Sequence, residues 1–320
     1  MTATSTPGLV TLGETMGLVT AGEIGSLEYA RTFTYGIGGA ESNVAIGVSR
    51  LGAPATWIGR LGADATGDMI ERRLRYEGVA ALVVRDRAFT GLMVKHRRFG
   101  SALSVDYHRA GSAGSRLSPE DLPQGCVETA GVLHVTGVTT ALSASACDTV
   151  FCAVDRARAA GVPVSVDVNY RSKLWSPEAA GPTLRRLVAL ADVVFAGVEE
   201  AQLVLGAGAG STAEALAQGL SALGPAQAVV KDGARGCTAS VDGVAHRLPA
   251  LPAEVVDPVG AGDAFVAGYL AELLAGRPAP ERLRTAVAAG AYAVSVPGDC
   301  EGLPRRTELA ALASASDVMR

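Results

Sequence analysis

The segment Asp257-Pro258-Val259-Gly260-Ala261-Gly262-Asp263-Ala264-Phe265 combines residue types and spacing that could do chemistry. Two glycines flank an alanine, Asp263 follows at once, and Ala264, Phe265, Val266, Ala267, Tyr269 and Leu270 read as a helix. Small residues let backbone N–H groups converge on an anion, and a helix N-terminus adds partial positive charge. Gly260, Ala261 and Gly262 are therefore candidates for an anion hole, and Asp263 stands where a transferring phosphate would arrive. A carboxylate is a poor phosphate ligand but a good acceptor for the proton of an attacking hydroxyl. The pairing points to phosphoryl transfer onto an alcohol. Taken alone, the same residues also fit an ordinary turn before a buried helix. The Gly-Lys-Ser/Thr ending of a Walker A loop is missing, and the segment lies too far from the first strand for a dinucleotide fingerprint.

A second cluster, Gly36-Ile37-Gly38-Gly39-Ala40-Glu41-Ser42-Asn43, precedes the apolar positions Val44, Ala45, Ile46, Val48 and Leu51. Gly38 and Gly39 permit close backbone approach, and Asn43 can both donate to and accept from a polyol. By itself this cluster reads better as a helix cap with a solvent-facing asparagine.

The elements that must position these residues alternate between strand and helix. Strand-like runs occur at Leu9–Leu12, Thr56–Gly59, Gly131–Val135, Val162–Val168, Asp192–Phe195 and Ala228–Val230. Helical stretches include Ser42–Leu51, Ser143–Ala160, Pro177–Leu190 and Ser211–Leu223. This alternation predicts an α/β fold with a mostly parallel sheet covered on both faces. Two regions break the pattern, about 13–37 and 90–109. The second reads as a hairpin, Leu92–Arg98 and Ala102–His108 about a Phe99-Gly100-Ser101 turn. Strands inserted without helices suggest a small β appendage, either a lid that excludes water or a surface hairpin with no role.

Bulk properties narrow the partners. A chain of 320 residues, 48% hydrophobic and 19% charged, can build a substantial core. A net charge of −4 provides no long-range attraction for nucleic acid or anionic lipid. No apolar run reaches 18 residues, and Met1 to Gly8 carries no secretory pattern, so the expectation is a cytoplasmic protein without a membrane partner. The five cysteines form no CxxC pair, as expected of thiols in a reducing compartment. Only Lys95, Lys173 and Lys231 among the 28 basic residues are lysines, which reads as genomic composition bias.

Taken together, the chain resembles the ribokinase-like (PfkB) carbohydrate kinases over essentially its whole length. The matching segments are Gly38–Ala45, Ile58–Gly67 and Asp257–Phe265. Within that family, Tyr107–Ser115, Asp167–Arg171 with Leu174–Pro177, and Gly298–Gly302 are similar to 2-keto-3-deoxygluconate kinases. The resemblance implies one ribokinase-like domain spanning residues 1–320, with a Rossmann-type sheet, helices on both faces and a β-sheet lid. It implies ATP as phosphoryl donor, magnesium with the nucleotide, and a sugar acid as acceptor. Asp263 then becomes the general base, and Gly260, Ala261 and Gly262 the anion hole. Gly39, Tyr107, Arg109, Arg171 and Asp299 would meet the substrate, with Asn43 supporting them. Guanidinium groups suit a substrate carboxylate because they meet it in bidentate geometry. Asn169 and Arg171 would lie near the phosphate path, and Lys231, Gly233 and Gly236 would frame the nucleotide. Glu200 would organise magnesium, and Asp257 would be a ligand to a monovalent cation such as potassium. One departure is Gly197-Val198-Glu199-Glu200, where the family usually has Asn-x-x-Glu. The rival readings are a neutral-sugar kinase, such as a fructokinase or ribokinase, and a non-catalytic sugar-acid-binding protein. An apolar lid face would let two copies pair as a homodimer.

Overall fold

The computed structural model describes residues 7–99 and 102–318. In chain order the strands are β1 (Leu9–Leu12), β2 (Met16–Ile24), β3 (Phe33–Gly38), β4 (Ala55–Gly62), β5 (Ala80–Asp86), β6 (Leu92–Phe99) and β7 (Ala102–His108). They continue with β8 (Val132–Thr136), β9 (Val164–Asp167), β10 (Val193–Gly197), β11 (Gln227–Lys231), β12 (Cys237–Val241) and β13 (Val244–Leu248). The helices are α1 (Ala40–Arg50), α2 (Ala65–Tyr76), α3 (Gly137–Thr140), α4 (Ala144–Ala159) and α5 (Pro177–Ala189). After them come α6 (Val198–Leu205), α7 (Ala213–Ser221), α8 (Ala261–Leu274), α9 (Ala279–Val294) and α10 (Arg306–Val318).

Nine strands form the main sheet in the order β13-β12-β11-β10-β9-β8-β1-β4-β5. From β11 to β5 every neighbouring pair is parallel. β12 and β13 extend the β11 edge antiparallel. The expected sheet is therefore present, and β5 and the β12–β13 extension enlarge it. Successive strand side chains point to opposite faces, and the core divides accordingly. Leu9, Trp57, Val132, Phe195 and Val229 pack against α1, α2, α8 and α9. Val10, Leu133, Val135, Val166, Val194 and Val230 pack against α4, α5, α6 and α7.

Local signals set the helix starts. Asp64, Ser143, Ser176 and Thr212 each accept a backbone N–H at the N-termini of α2, α4, α5 and α7. α8 lacks such a side-chain cap. Its free N–H groups face the cleft described below.

The two irregular regions form one four-stranded sheet, β3-β2-β6-β7. β2 pairs antiparallel with β3 and parallel with β6, and β6 pairs antiparallel with β7. Met16, Leu18 and Met93 form its small apolar core with Val105 against them. Of the expected Phe99-Gly100-Ser101 turn, Phe99 instead ends β6, while Gly100 and Ser101, like residues 1–6 and 319–320, lie outside the described residues. Among the described residues, no helix is long and apolar enough to cross a membrane.

Candidate active site

The carboxyl ends of the parallel strands, the N-terminus of α8 and the small sheet enclose a cleft of about 2080 Å³. Loops at this edge of an α/β sheet are where ligands bind. A cleft of this size exceeds what one drug-sized ligand needs, so a nucleotide and a sugar fit together.

Gly260 caps α8 with φ 78°, in the left-handed region, where an added Cβ would also collide with the Asp299 carbonyl oxygen. The next three N–H groups, of Ala261, Gly262 and Asp263, belong to a first helical turn, where no intrahelical acceptor exists. Gly260 to Asp263 line the cleft. The sequence-predicted anion hole is thus a surface of backbone donors at a helix start.

Asp263 and Asp299 are both buried, and the Asn43 amide joins them. Asn43 Nδ2 donates to Asp263 Oδ2 at 2.8 Å and to Asp299 Oδ1 at 2.9 Å. Close helix packing makes this possible. One turn beyond Asn43, an added Cβ on Gly47 would come within 2.5 Å of the Ala267 methyl, itself one turn beyond Asp263. Glycine at 47 lets α1 approach α8, which delivers Asn43 to the carboxylate. Asn43 is therefore buried rather than a solvent-facing cap, because its amide has two acidic partners.

Burial and the Asp299 charge raise the Asp263 carboxyl to about 8, against the opposing hydrogen bond from Asn43. Asp299 is raised to about 6, mainly by burial, with Lys95 and Asn43 pulling the other way. These two acids form a coupled pair in which Asp263 is the stronger base.

On the β9–β11 side, Lys231 donates to both oxygens of Asp167, at 2.9 and 2.8 Å. Burial and the Lys231 charge push the nearby His134 imidazole down to about 3, so it is neutral. Its Nδ1 bonds Ser165 Oγ at 3.0 Å. Glu200 accepts the N–H of Tyr170 at 2.9 Å and of Gly197 at 2.7 Å. Burial raises its carboxyl, while the Lys231 charge opposes the rise. Asn169 adopts φ 40° and lines the cleft, with its buried Oδ1 lacking a partner. Gly233 and Gly236 frame a short turn after β11; at Gly236 an added Cβ would strike the Leu248 carbonyl.

On the lid side, Gly39 caps the start of α1, and the Tyr107 ring lies near two cations. The Arg109 guanidinium lies 5.7 Å from the ring centroid and the Lys173 ammonium 5.6 Å. Arg109 is ion-paired with buried Glu14, through Nε at 2.7 Å and Nη2 at 2.5 Å to the same oxygen. Glu14 also accepts the Ser112 hydroxyl. Arg171, by contrast, is exposed to the cleft, and among the described residues its guanidinium bonds only the neighbouring Tyr170 carbonyl, at 3.2 Å. The two arginines are thus electrostatically unequal, which their sequence contexts did not reveal.

Asp257 has an occupied coordination shell. Its Oδ2 accepts Lys95 Nζ at 2.5 Å and the Gly298 N–H at 3.2 Å, while Oδ1 accepts the Val259 N–H at 3.2 Å. The expected monovalent-cation ligand is therefore paired with an ammonium of the chain itself.

Sequence reasoning missed Glu14, Lys95 and Asp167 as site residues. The lysines offered a signal, since all three in the chain line the cleft. Arginine dominates elsewhere, but these positions use compact ammonium groups with three donors.

The sequence and fold have counterparts in known proteins. The profile of the pfkB family carbohydrate kinases matches residues 7–306, and the chain belongs to that family. It is 37% identical to a 2-dehydro-3-deoxygluconokinase of Bacillus subtilis (strain 168), over 96% of this chain and 95% of the relative. It is 35% identical to a 2-dehydro-3-deoxygalactonokinase of Haloferax volcanii, over 91% of this chain and 92% of the relative. Its fold superimposes on the crystal structure of a putative ribokinase II from E. coli in complex with ATP and magnesium. That match has a TM-score of 0.88 and 26% identity, and covers 97% of this chain and 99% of the other.

A general base works only after losing its own proton, so kcat/KM should rise with pH through a midpoint near 8. Replacing Asp299 by Asn removes the like charge and should move that midpoint to lower pH. A pH–rate series on both proteins checks this; an unmoved midpoint would leave burial and the Asp167 charge as the causes.

Proposed function

We infer that this chain transfers the γ-phosphoryl group of ATP to the primary hydroxyl of 2-keto-3-deoxygluconate (2-dehydro-3-deoxygluconate), giving the 6-phosphate and ADP. The carrying observation is the placement of Asp263. It is a desolvated carboxylate held by Asn43 and adjoins the uncapped first turn of α8. As the hydroxyl oxygen attacks the γ-phosphorus, Asp263 takes its proton, and the bond from phosphorus to the β–γ bridging oxygen breaks. The Ala261 and Gly262 N–H groups stabilise the charge on the transferring oxygens. Lys231, shared with Asp167, adds positive charge near Gly262.

Magnesium fits the nucleotide end of the cleft. The unpartnered Asn169 Oδ1 and the Glu200 carboxylate are hard oxygen donors, of the kind that hold this ion together with phosphates and water. When bound, it would neutralise charge on the β- and γ-phosphates. Gly197 contributes its N–H to Glu200, so the backbone orients that acid where the family usually supplies an asparagine.

Arg171 is the cation we assign to the acceptor's carboxylate, because among the described residues its guanidinium bonds a carbonyl rather than an acid, and Glu200 and Asp263 attract it without an ion pair. Arg109, already balanced by Glu14, would position Tyr107 and the sugar. Gly39 and Asp299 would meet the acceptor's hydroxyls. Similarity to a 2-dehydro-3-deoxygluconokinase and a 2-dehydro-3-deoxygalactonokinase supports a 3-deoxy sugar acid over a neutral sugar. We read the whole chain as one kinase domain with the four-stranded sheet as its lid, acting in a reducing cytoplasm. The free state of all five cysteines supports that compartment.

Asp263→Asn should abolish turnover while leaving sugar binding largely intact; near-normal turnover would remove Asp263 as the base. The same substitution should raise Tm at pH 8 more than at pH 4–5. The raised carboxyl is stable to ionisation at low pH, and its stabilisation is lost as pH climbs from about 4 toward 8. In a panel of 2-keto-3-deoxygluconate, its galactonate epimer, fructose and ribose, the two acids should be preferred. Arg171→Ala should raise KM for the acids about 10- to 100-fold with a smaller change in kcat. An unchanged KM, or a neutral-sugar preference, would overturn the carboxylate assignment.

Tyr29, Phe33, Tyr35 and Ile24 are exposed on the lid, and we propose that two copies pair through this sheet. Sedimentation should give a dimer, and Phe33→Glu with Tyr35→Glu should give a monomer; a monomeric parent protein would refute the pairing.

A further inference from the structure

Lys95 is a cation whose place in the chemistry is unexplained by binding of either substrate. It lies on β6 of the small sheet and is 2% exposed, with Asp257 3% exposed. Besides its ion pair with Asp257, its ammonium reaches the Gly298 carbonyl oxygen at 3.3 Å. Two residues along the same strand, on the same face, Arg97 donates to the Val256 carbonyl at 2.6 Å. The lid strand therefore grips the segment immediately before the anion hole at two points.

What Lys95 grips connects both halves of the catalytic centre. Asp257 accepts the Val259 N–H, next to Gly260, and the Gly298 N–H, next to Asp299. One carboxylate thus ties the anion-hole loop to the loop bearing the Asp299 acid, and a single positive charge balances it. A buried carboxylate without that charge would be costly and would relax or draw in a cation from solvent. An alkali cation could satisfy such a site from the bulk. Here the charge is covalently attached to the lid, and Asp257 Oδ2 already holds both the ammonium and a backbone donor. An arginine would present a planar fork in place of the compact ammonium, which accounts for lysine in an arginine-rich chain.

We propose that Lys95 is a positioning residue that sets the geometry of the anion hole from the lid, with its tethered ammonium replacing a bound alkali cation. Phosphoryl transfer therefore needs no potassium or sodium, and the anion hole takes its final shape only when β6 is seated on the 256–257 segment. This rests on the phosphotransferase reading but not on the identity of the acceptor, because Lys95 pairs with the chain's own groups. The assay therefore uses whichever acceptor the substrate panel identifies.

The parent protein is assayed with ATP and magnesium in potassium chloride and in tetramethylammonium chloride of equal ionic strength. The rates should agree within about twofold and the Tm should not move, since no cation binds. Activation by potassium of roughly tenfold or more, with a rise in Tm, would overturn the proposal. Lys95→Ala should lower kcat about 100-fold with less than about a threefold change in ATP KM, because alignment of the anion hole is lost. Ethylammonium or potassium, but not tetraethylammonium, should recover at least roughly fivefold of that loss. A folded variant with unchanged kcat, or one that neither ethylammonium nor potassium rescues, would refute the positioning role. If the variant fails to fold, the comparison of salts on the parent protein still decides. Absence of any phosphoryl transfer by the parent protein would instead refute the phosphotransferase reading.

Discussion

Two buried carboxylates share one side-chain amide, and the architecture of the catalytic centre follows from that constraint. Asp263 and Asp299 repel each other, and Asn43 stands between them with one donor for each. To hold this arrangement, α1, α8 and the loop before residue 300 must converge within a few ångströms. The stress is considerable. Raising a carboxyl from 3.8 to about 8 disfavours the ionised form by several kcal/mol, at roughly 1.4 kcal/mol per pH unit. Packing of α8 against α1 and α9, through Phe265, Tyr269 and Ala267, opposes this stress with apolar burial. The result is a carboxylate more basic than an exposed aspartate, as the proposed role of Asp263 in taking up a hydroxyl proton requires.

Charge is distributed around this pair with economy. Every lysine of the chain lines the cleft, and each has a different partner: Asp257, the Val105 carbonyl, or Asp167. Two of those partners are acids, so most of the positive charge is committed internally before a substrate arrives. Arg109 is likewise committed to Glu14. Among the described residues, Arg171 is in no ion pair, although Glu200 and Asp263 attract it. An anionic acceptor and a polyanionic nucleotide entering together find one exposed guanidinium, a set of backbone N–H groups, and the remaining donor capacity of Lys231. Such a site discriminates by geometry more than by bulk charge, consistent with a chain whose net charge is only −4.

Much of the fold was readable from local pattern. The strand–helix alternation anticipated the parallel sheet, and the two regions without helical period became the four strands of the lid. Those elements depend on side-chain periodicity and cap chemistry, which act within a few residues. β5, β12 and β13 were less legible. They lie toward the sheet edges, and β13 has exposed positions along most of its length, so no long apolar run marks them. The geometry was legible where it rests on backbone: the glycines around Ala261 open α8, with Asp263 in its first turn, as the apolar run after them predicts. It was less legible where it rests on pairs. Asn43 looked like a solvent-facing cap because Asp263 is 220 residues away, and Arg109 looked like a free cation because Glu14 is 95 residues away.

The sequence by itself determined the class of chemistry. A Gly-Ala-Gly turn opening an apolar helix can make only a limited set of shapes, and an aspartate at its third helical position faces whatever that turn binds. The identity of the three lysines was also present in the sequence, although their scarcity resembled composition bias. Tertiary structure alone decided which charges are spent and which remain. Whether a cation meets a ligand or an internal acid depends on distances between segments far apart in the chain, and no local period encodes them. Lys95 shows this most clearly. One lysine on a lid strand becomes the counter-ion of the anion-hole loop only when two sheets are packed together.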